Sequence, residues 1–109
     1  MIEITPAQSR AVAAILARHA PGVEVRAFGS RVGGTPKDYS DLDLAVLAPR
    51  KMSLEALAKL REAFSESDLP FRVDVLDWNS ISDEFKRVIL EKYEVVQRAA
   101  RMKGGKGGS

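Results

Sequence analysis

Residues 28–47, FGSRVGGTPKDYSDLDLAVL, constrain most tightly what this chain can fold into. A Gly-Ser pair at 29 and 30 is followed, after ten residues, by Asp41 and Asp43 on either side of Leu42 in an apolar run. Side chains alternate along a strand, so DLDLAVL puts Leu42, Leu44 and Val46 on a core face and both aspartates on the other. Two carboxylates at that spacing, roughly 7 Å apart between α-carbons, can converge on the same cations. Gly33, Gly34 and Pro36 break regular structure in between, so the connector from Ser30 to Asp41 reads as a short helical turn or loop.

The flanking sequence supplies a scaffold. Thr5-Pro6 is a helix start, and Ala7, Ala11, Val12, Ile15 and Leu16 recur at helical spacing, which predicts an amphipathic helix over 6–19 ended by Pro21 and Gly22. Residues 23–28 alternate as a strand that delivers the chain to Gly29. Ser53 caps a second helix with an expected apolar stripe of Leu54, Leu57, Leu60 and Phe64. Residues 71–76 alternate again, placing Phe71, Val73 and Val75 on one face and Arg72, Asp74 and Leu76 on the other. Asp74 thus sits inside a strand, where a carboxylate is unfavourable without a partner. Asp77, Trp78 and Asn79 read as a turn, and Ser82 caps a last helix through Phe85, Val88 and Ile89. Residues 93–97 fit either a continued helix or a strand. The expected architecture is α/β in the α+β sense, a small mixed sheet of three to four strands with helices packed on it. Residues 1–100 would be one domain, and 101–109 a flexible tail.

Composition narrows the chemistry. The sequence contains no cysteine, so a thiolate metal site, a cysteine nucleophile and a disulfide framework are excluded, and any metal must sit on oxygen ligands. The formal net charge of +2 owes its sign to Arg101, Lys103 and Lys106 in the last nine residues. Without them the body is close to neutral, which removes the electrostatic argument for nucleic acid as a direct partner. No apolar run has the length of a membrane span, and MIEITPAQSR lacks the layout of a secretory signal, so the expected location is cytoplasmic.

At Gly29 a missing side chain lets backbone amides approach a phosphate, and the following turn offers its positive end to the charge. Ser30 adds a hydroxyl donor. Asp41, Asp43 and Asp74 then make an all-oxygen set suited to Mg²⁺, which prefers carboxylates together with substrate phosphates. That is the outline of a two-metal nucleotidyl-transfer centre. An Asp-x-Asp pair alone would carry little weight, but the spaced set is far more restrictive.

At these residues the chain resembles the nucleotidyltransferase superfamily related to DNA polymerase β, whose signature is Gly-Ser, a spacer of this length, Asp-x-Asp and a third aspartate on a later strand. The Ser-Arg at 30 and 31, SDLDLAV at 40–46 and VDVLDWNSIS at 73–82 are similar to the minimal nucleotidyltransferases, commonly paired in prokaryotes with HEPN-domain toxins. The resemblance implies a polymerase β-like core in which Asp41 and Asp43 hold two Mg²⁺ ions. Asp74 would bind the catalytic ion and help deprotonate the acceptor, and Gly29 and Ser30 would hold the terminal phosphates of ATP. Arg31 is a further candidate for those phosphates, with a solvated surface charge as the competing reading. It also implies an antitoxin that transfers AMP from ATP to a tyrosine hydroxyl of a HEPN ribonuclease toxin, in a hetero-oligomer with it. Two alternatives stand beside it: an antitoxin acting by occlusion alone, and a small-molecule nucleotidyltransferase that borrows its acceptor pocket from another subunit.

Other polar and aromatic residues have plainer readings. His19 lies in the last turn of its helix, where a cation suits the dipole. Trp78 is expected to pack on the helix that follows it, and Asp77, facing away from Asp74, reads as a cap. Tyr39, Lys37, Arg50 and Lys51 are loop residues for which solvation suffices.

Overall fold

The computed structural model describes residues 4–33 and 41–100. The chain runs α1 (Pro6–His19), β1 (Glu24–Phe28), α2 (Ser30–Gly33), β2 (Leu42–Leu47), α3 (Leu54–Ser65), β3 (Val73–Asp77), a 3-10 turn (Trp78–Ser80), α4 (Asp83–Glu91) and β4 (Glu94–Gln97). The caps fall where the hydroxyl residues predict. Thr5 Oγ1 accepts from the Gln8 amide at 3.1 Å while Gln8 Oε1 accepts from the Thr5 amide at 2.9 Å, closing a reciprocal capping box. Ser53 and Ser82 accept from Ala56 and Phe85 in the same manner.

The four strands form one mixed sheet in the order β3-β2-β1-β4. β1 pairs antiparallel with both β2 and β4, whereas β2 and β3 are parallel and joined through α3, as a parallel pair requires a crossover. The ambiguous stretch at 93–97 is a strand: α4 stops at Lys92, whose backbone is extended, and the chain turns back along β1. Gln97 Nε2 anchors it by donating to the carbonyls of Ala20 and Val23, both at 2.7 Å.

One face of the sheet makes the core. Val12 and Leu16 of α1 and Leu60 and Phe64 of α3 pack on Val25, Ala27, Leu42, Leu44, Val46 and Val75. The expected stripe of α3 loses its first member, since Leu54 is 86% exposed. At 3.6 residues per turn Leu54 points roughly 60–120° away from Leu57, Leu60 and Phe64, and it occupies the first helical position. Ala7 of α1 is likewise exposed, so that stripe is narrower than its spacing suggested. Among the described residues no helix is long and apolar enough to cross a membrane.

The second face carries Phe28, Asp43 and Asp74 in one row across three strands: Phe28 is opposite Asp43, and Asp43 is opposite Asp74. α4 covers part of this face through Phe85, whose ring meets that of Phe28 edge-on at 5.8 Å. Farther along the same helix Lys86 lies 5.7 Å over the Trp78 ring, and Arg26 of β1 sits between Trp78 and Tyr93. Trp78 therefore packs against the helix that follows it, as its position suggested.

Candidate active site

β1 ends at the site and β2 and β3 begin there, so the polar ends of three strands meet one turn of helix. Gly29 has φ +89, a conformation that side chains resist, and α2 starts at the next residue. A Cβ on Gly29 would also collide with Oδ2 of Asp43. Glycine is thus required twice over, by its own backbone and by the carboxylate resting on it. The Gly-Ser turn and the Asp-x-Asp strand, separated in sequence by the connector, are in contact. Residues 34–40, Tyr39 and Lys37 among them, and the side chain of Ser30 lie outside the described part.

Asp41 is exposed immediately before β2, and Asp43 is half-buried within it. The amide of Leu42, between them, donates to the Arg72 carbonyl at 2.8 Å, which locks the start of β2 to the start of β3. Asp74 stands beside Asp43 on the neighbouring strand, and its Oδ1 is 3.2 Å from Arg72 Nε. Burial pushes the Asp43 carboxyl up to about 6, and the charges of Asp74 and then Asp41 add to the rise. The three carboxylates named from the sequence are therefore neighbours that repel one another.

This donor set fits a divalent cation. Hard oxygen ligands with an excess of negative charge are what Mg²⁺ takes, and it commonly keeps one or two carboxylates and completes its shell with water and substrate phosphates. Among the described residues no three His, Cys, Asp or Glu side chains are gathered closely enough to hold one ion together, so Asp41, Asp43 and Asp74 are neighbours without forming a three-ligand site.

A cleft of about 1020 Å³ opens over the site, with Asp43, Asp74, Phe28 and Phe85 on one side and Phe71 and Arg72 among its other walls. The phenylalanine pair and the Arg72–Asp74 ion pair escaped the sequence reading. Arg72 could have been found, because it shares a strand face with Asp74 two residues away. Arg31 is not the solvated surface charge that was one of its two readings: it is 5% exposed, and its guanidinium lies 4.2 Å over the Phe71 ring.

Asp77, the other aspartate of β3, is a structural cap as its facing predicted. It is buried and accepts from the Met52 amide, the Asn79 amide and the Ser80 hydroxyl at 2.9, 3.0 and 2.9 Å. His19 sits in the last turn of α1.

The family model for polymerase β nucleotidyltransferases matches residues 11–101. The chain belongs to that family. Among curated nucleotidyltransferases, a probable protein adenylyltransferase MntA of Haemophilus influenzae is 46% identical over 96 residues, covering 88% of this chain and 84% of the relative. Among solved structures, a toxin-antitoxin complex with AMP-PNP contains a chain that superposes with a TM-score of 0.71 at 25% identity, over 84% of this chain and 73% of that one. The complex of tri-AMPylated Shewanella oneidensis HEPN toxin with MNT antitoxin shares the fold, with a TM-score of 0.65 at 23% identity over 85% and 71% of the two chains. In this nucleotidyltransferase one four-stranded mixed sheet brings the Gly-Ser turn against the Asp-x-Asp strand.

Proposed function

We propose that this protein is an antitoxin enzyme that transfers AMP from ATP to a tyrosine hydroxyl of a cognate HEPN-domain toxin and so neutralises it. The observation that carries the reading is the row in which Asp43 rests on Gly29 and faces Asp74, with Asp43 and Asp74 lining the cleft, an arrangement that suits a turn receiving phosphates beside carboxylates receiving metal. The 46% identity to MntA, a probable protein adenylyltransferase, supports the same activity, and the HEPN partner follows the AMPylated toxin in the related complex.

In this mechanism the amides at Gly29 and the start of α2 receive the terminal phosphates of ATP, aided by the Ser30 hydroxyl. Asp41 and Asp43 would hold two Mg²⁺ ions, with Asp74 a ligand of one, and the ions would supply the positive charge that offsets the phosphates. Asp74, released from Arg72, draws the proton from the acceptor hydroxyl. The hydroxyl oxygen forms a bond to the α-phosphorus, the bond to the bridging oxygen breaks, and pyrophosphate leaves on the Gly29 side. The gain comes from alignment and from charge already in place, not from a covalent enzyme intermediate.

The test is transfer itself. With ATP labelled at the α-phosphate, Mg²⁺ and the HEPN partner, label should appear on the partner with a matching mass gain, and a tyrosine-to-phenylalanine change at the labelled site should remove it. Toxin neutralisation that persists in Asp41→Ala with Asp43→Ala would overturn catalysis in favour of occlusion, and label confined to a small molecule would overturn the protein acceptor.

A further inference from the structure

Asp74 belongs to the edge strand of the sheet, bonded to β2 on one side only. A carboxylate that must stay within a fraction of an ångström of its working position needs more support than a half-paired strand provides. Part of it comes from Arg61 of α3, which donates from Nη2 and Nε to the Val75 carbonyl at 2.8 and 3.2 Å and so holds the edge one residue beyond Asp74. The opposite end, where the chain enters β3, needs a second hold.

Phe71 and Arg72 are that entry. The Arg72 carbonyl is bound by the Leu42 amide, between Asp41 and Asp43, and the Arg72 guanidinium is paired with Asp74. The Phe71 ring is 8% exposed, and the buried Arg31 guanidinium lies 4.2 Å over it. Arg31 in turn follows Ser30 directly in α2. The stack thus ties Phe71, which lines the cleft, to the helical turn that begins at Ser30.

We infer that Arg31 is a positioning residue for Asp74, clamping the entry of β3 to the phosphate-side helical turn through Phe71, and is not itself a ligand of the terminal phosphates. The inference rests on the nucleotidyl-transfer reading of the site. A planar guanidinium stacked on a ring is not replaced by an ammonium, so Arg31→Lys keeps the charge and loses the clamp. A phosphate ligand behaves in the opposite manner, since a lysine also serves as a point charge for phosphate.

The experiment compares wild type, Arg31→Lys, Arg31→Met, Phe71→Leu and the Arg31→Met/Phe71→Leu pair, each assayed well below its own melting temperature with ATP, Mg²⁺ and the HEPN partner. Positioning predicts that both Arg31 variants lose about tenfold in kcat with KM for ATP within about twofold. Phe71→Leu should lose a similar factor, and the double variant should be no worse than the weaker single, because both break one clamp. Binding of AMP-PNP should keep its Kd at saturating Mg²⁺ while requiring several-fold more Mg²⁺ for half-saturation, a readout that needs no acceptor and survives failure of the HEPN assignment. A tenfold rise in KM and in AMP-PNP Kd, rescued by lysine, would overturn the inference in favour of a phosphate ligand. Full kcat in the Arg31 variants once melting is allowed for, with unchanged Mg²⁺ demand, would reduce the stack to a purely structural contact and overturn it equally.

Discussion

Asp43 and Asp77 are both partly or fully withdrawn from water near strand ends on β2 and β3, yet the protein treats them in opposite ways. Asp77 is 3% exposed and receives three donors from the chain, two backbone amides and a hydroxyl. Asp43 is set against a glycine that offers no side chain, with Asp74 and Asp41 as its charged neighbours. A buried carboxylate fully supplied with donors stabilises the fold and has no capacity left for a ligand. One left among like charges costs stability until a cation arrives, and it is such costs that mark functional sites. On this contrast we propose that Asp77 belongs to the scaffold and Asp43 to the chemistry, and substitution should separate the two.

The largest effect is expected at Asp43 itself. Asp43→Asn keeps the shape and removes the charge, and transfer of AMP should fall on the order of 10³-fold with the fold intact by circular dichroism. If the variant kept even a tenth of wild-type transfer at saturating Mg²⁺, Asp43 could not be a metal ligand in the reaction. Next comes Gly29→Ala, which must accept both a positive φ and a methyl group driven at Asp43. Transfer should drop by about 10²-fold, with a stability loss of about 1–3 kcal/mol from the strained backbone. An alanine variant with wild-type kcat would show that the turn yields without disturbing the carboxylate.

Asp77→Ala should reverse the pattern. It strands the Met52 amide and loosens the 3-10 turn, so stability should fall by about 2–3 kcal/mol in urea unfolding. Specific transfer by the folded fraction should stay within about threefold of wild type. A loss of transfer as deep as that of Asp43→Asn, at full stability, would erase the distinction.

How much of this was legible in the sequence depends on range. Local signals were read well: Thr5-Pro6 and His19 bound α1 as expected, Ser53 and Ser82 cap their helices, and the alternation of 71–76 gave Asp74 and Asp77 opposite faces. The spaced Gly-Ser and Asp-x-Asp set indicated the family. What could not be read was decided by contacts between distant segments. Nothing near Arg31 in sequence announces that its partner is the Phe71 ring, and the parallel register that puts Asp43 opposite Asp74 is set by how α3 crosses the sheet. Residues 93–97 suited both structures, and the open side of β1 chose the strand.

The smallest expected effect is the pH dependence that Asp43 imposes on stability. In the folded protein its carboxyl titrates near about 6, above its ordinary 3.8, chiefly because of burial and then because of Asp74 and Asp41. Between those two values the folded state holds a proton that the unfolded state has lost, so stability decreases as pH rises. The stabilisation from the protonated form is complete below about pH 4 and is lost as pH rises through about 6. In EDTA the melting temperature of wild type should therefore decline by a few degrees more than that of Asp43→Asn between pH 4.5 and 7.5. The asparagine variant should melt higher at the upper end, since it lacks the charge that the site resists. Added Mg²⁺ should raise the wild-type melting temperature at pH 7.5 and leave the variant much less affected, because binding at the carboxylates favours the ionised Asp43. Identical pH slopes in the two proteins would mean that Asp43 is well satisfied without a cation, and its contrast with Asp77 would then lose its energetic basis.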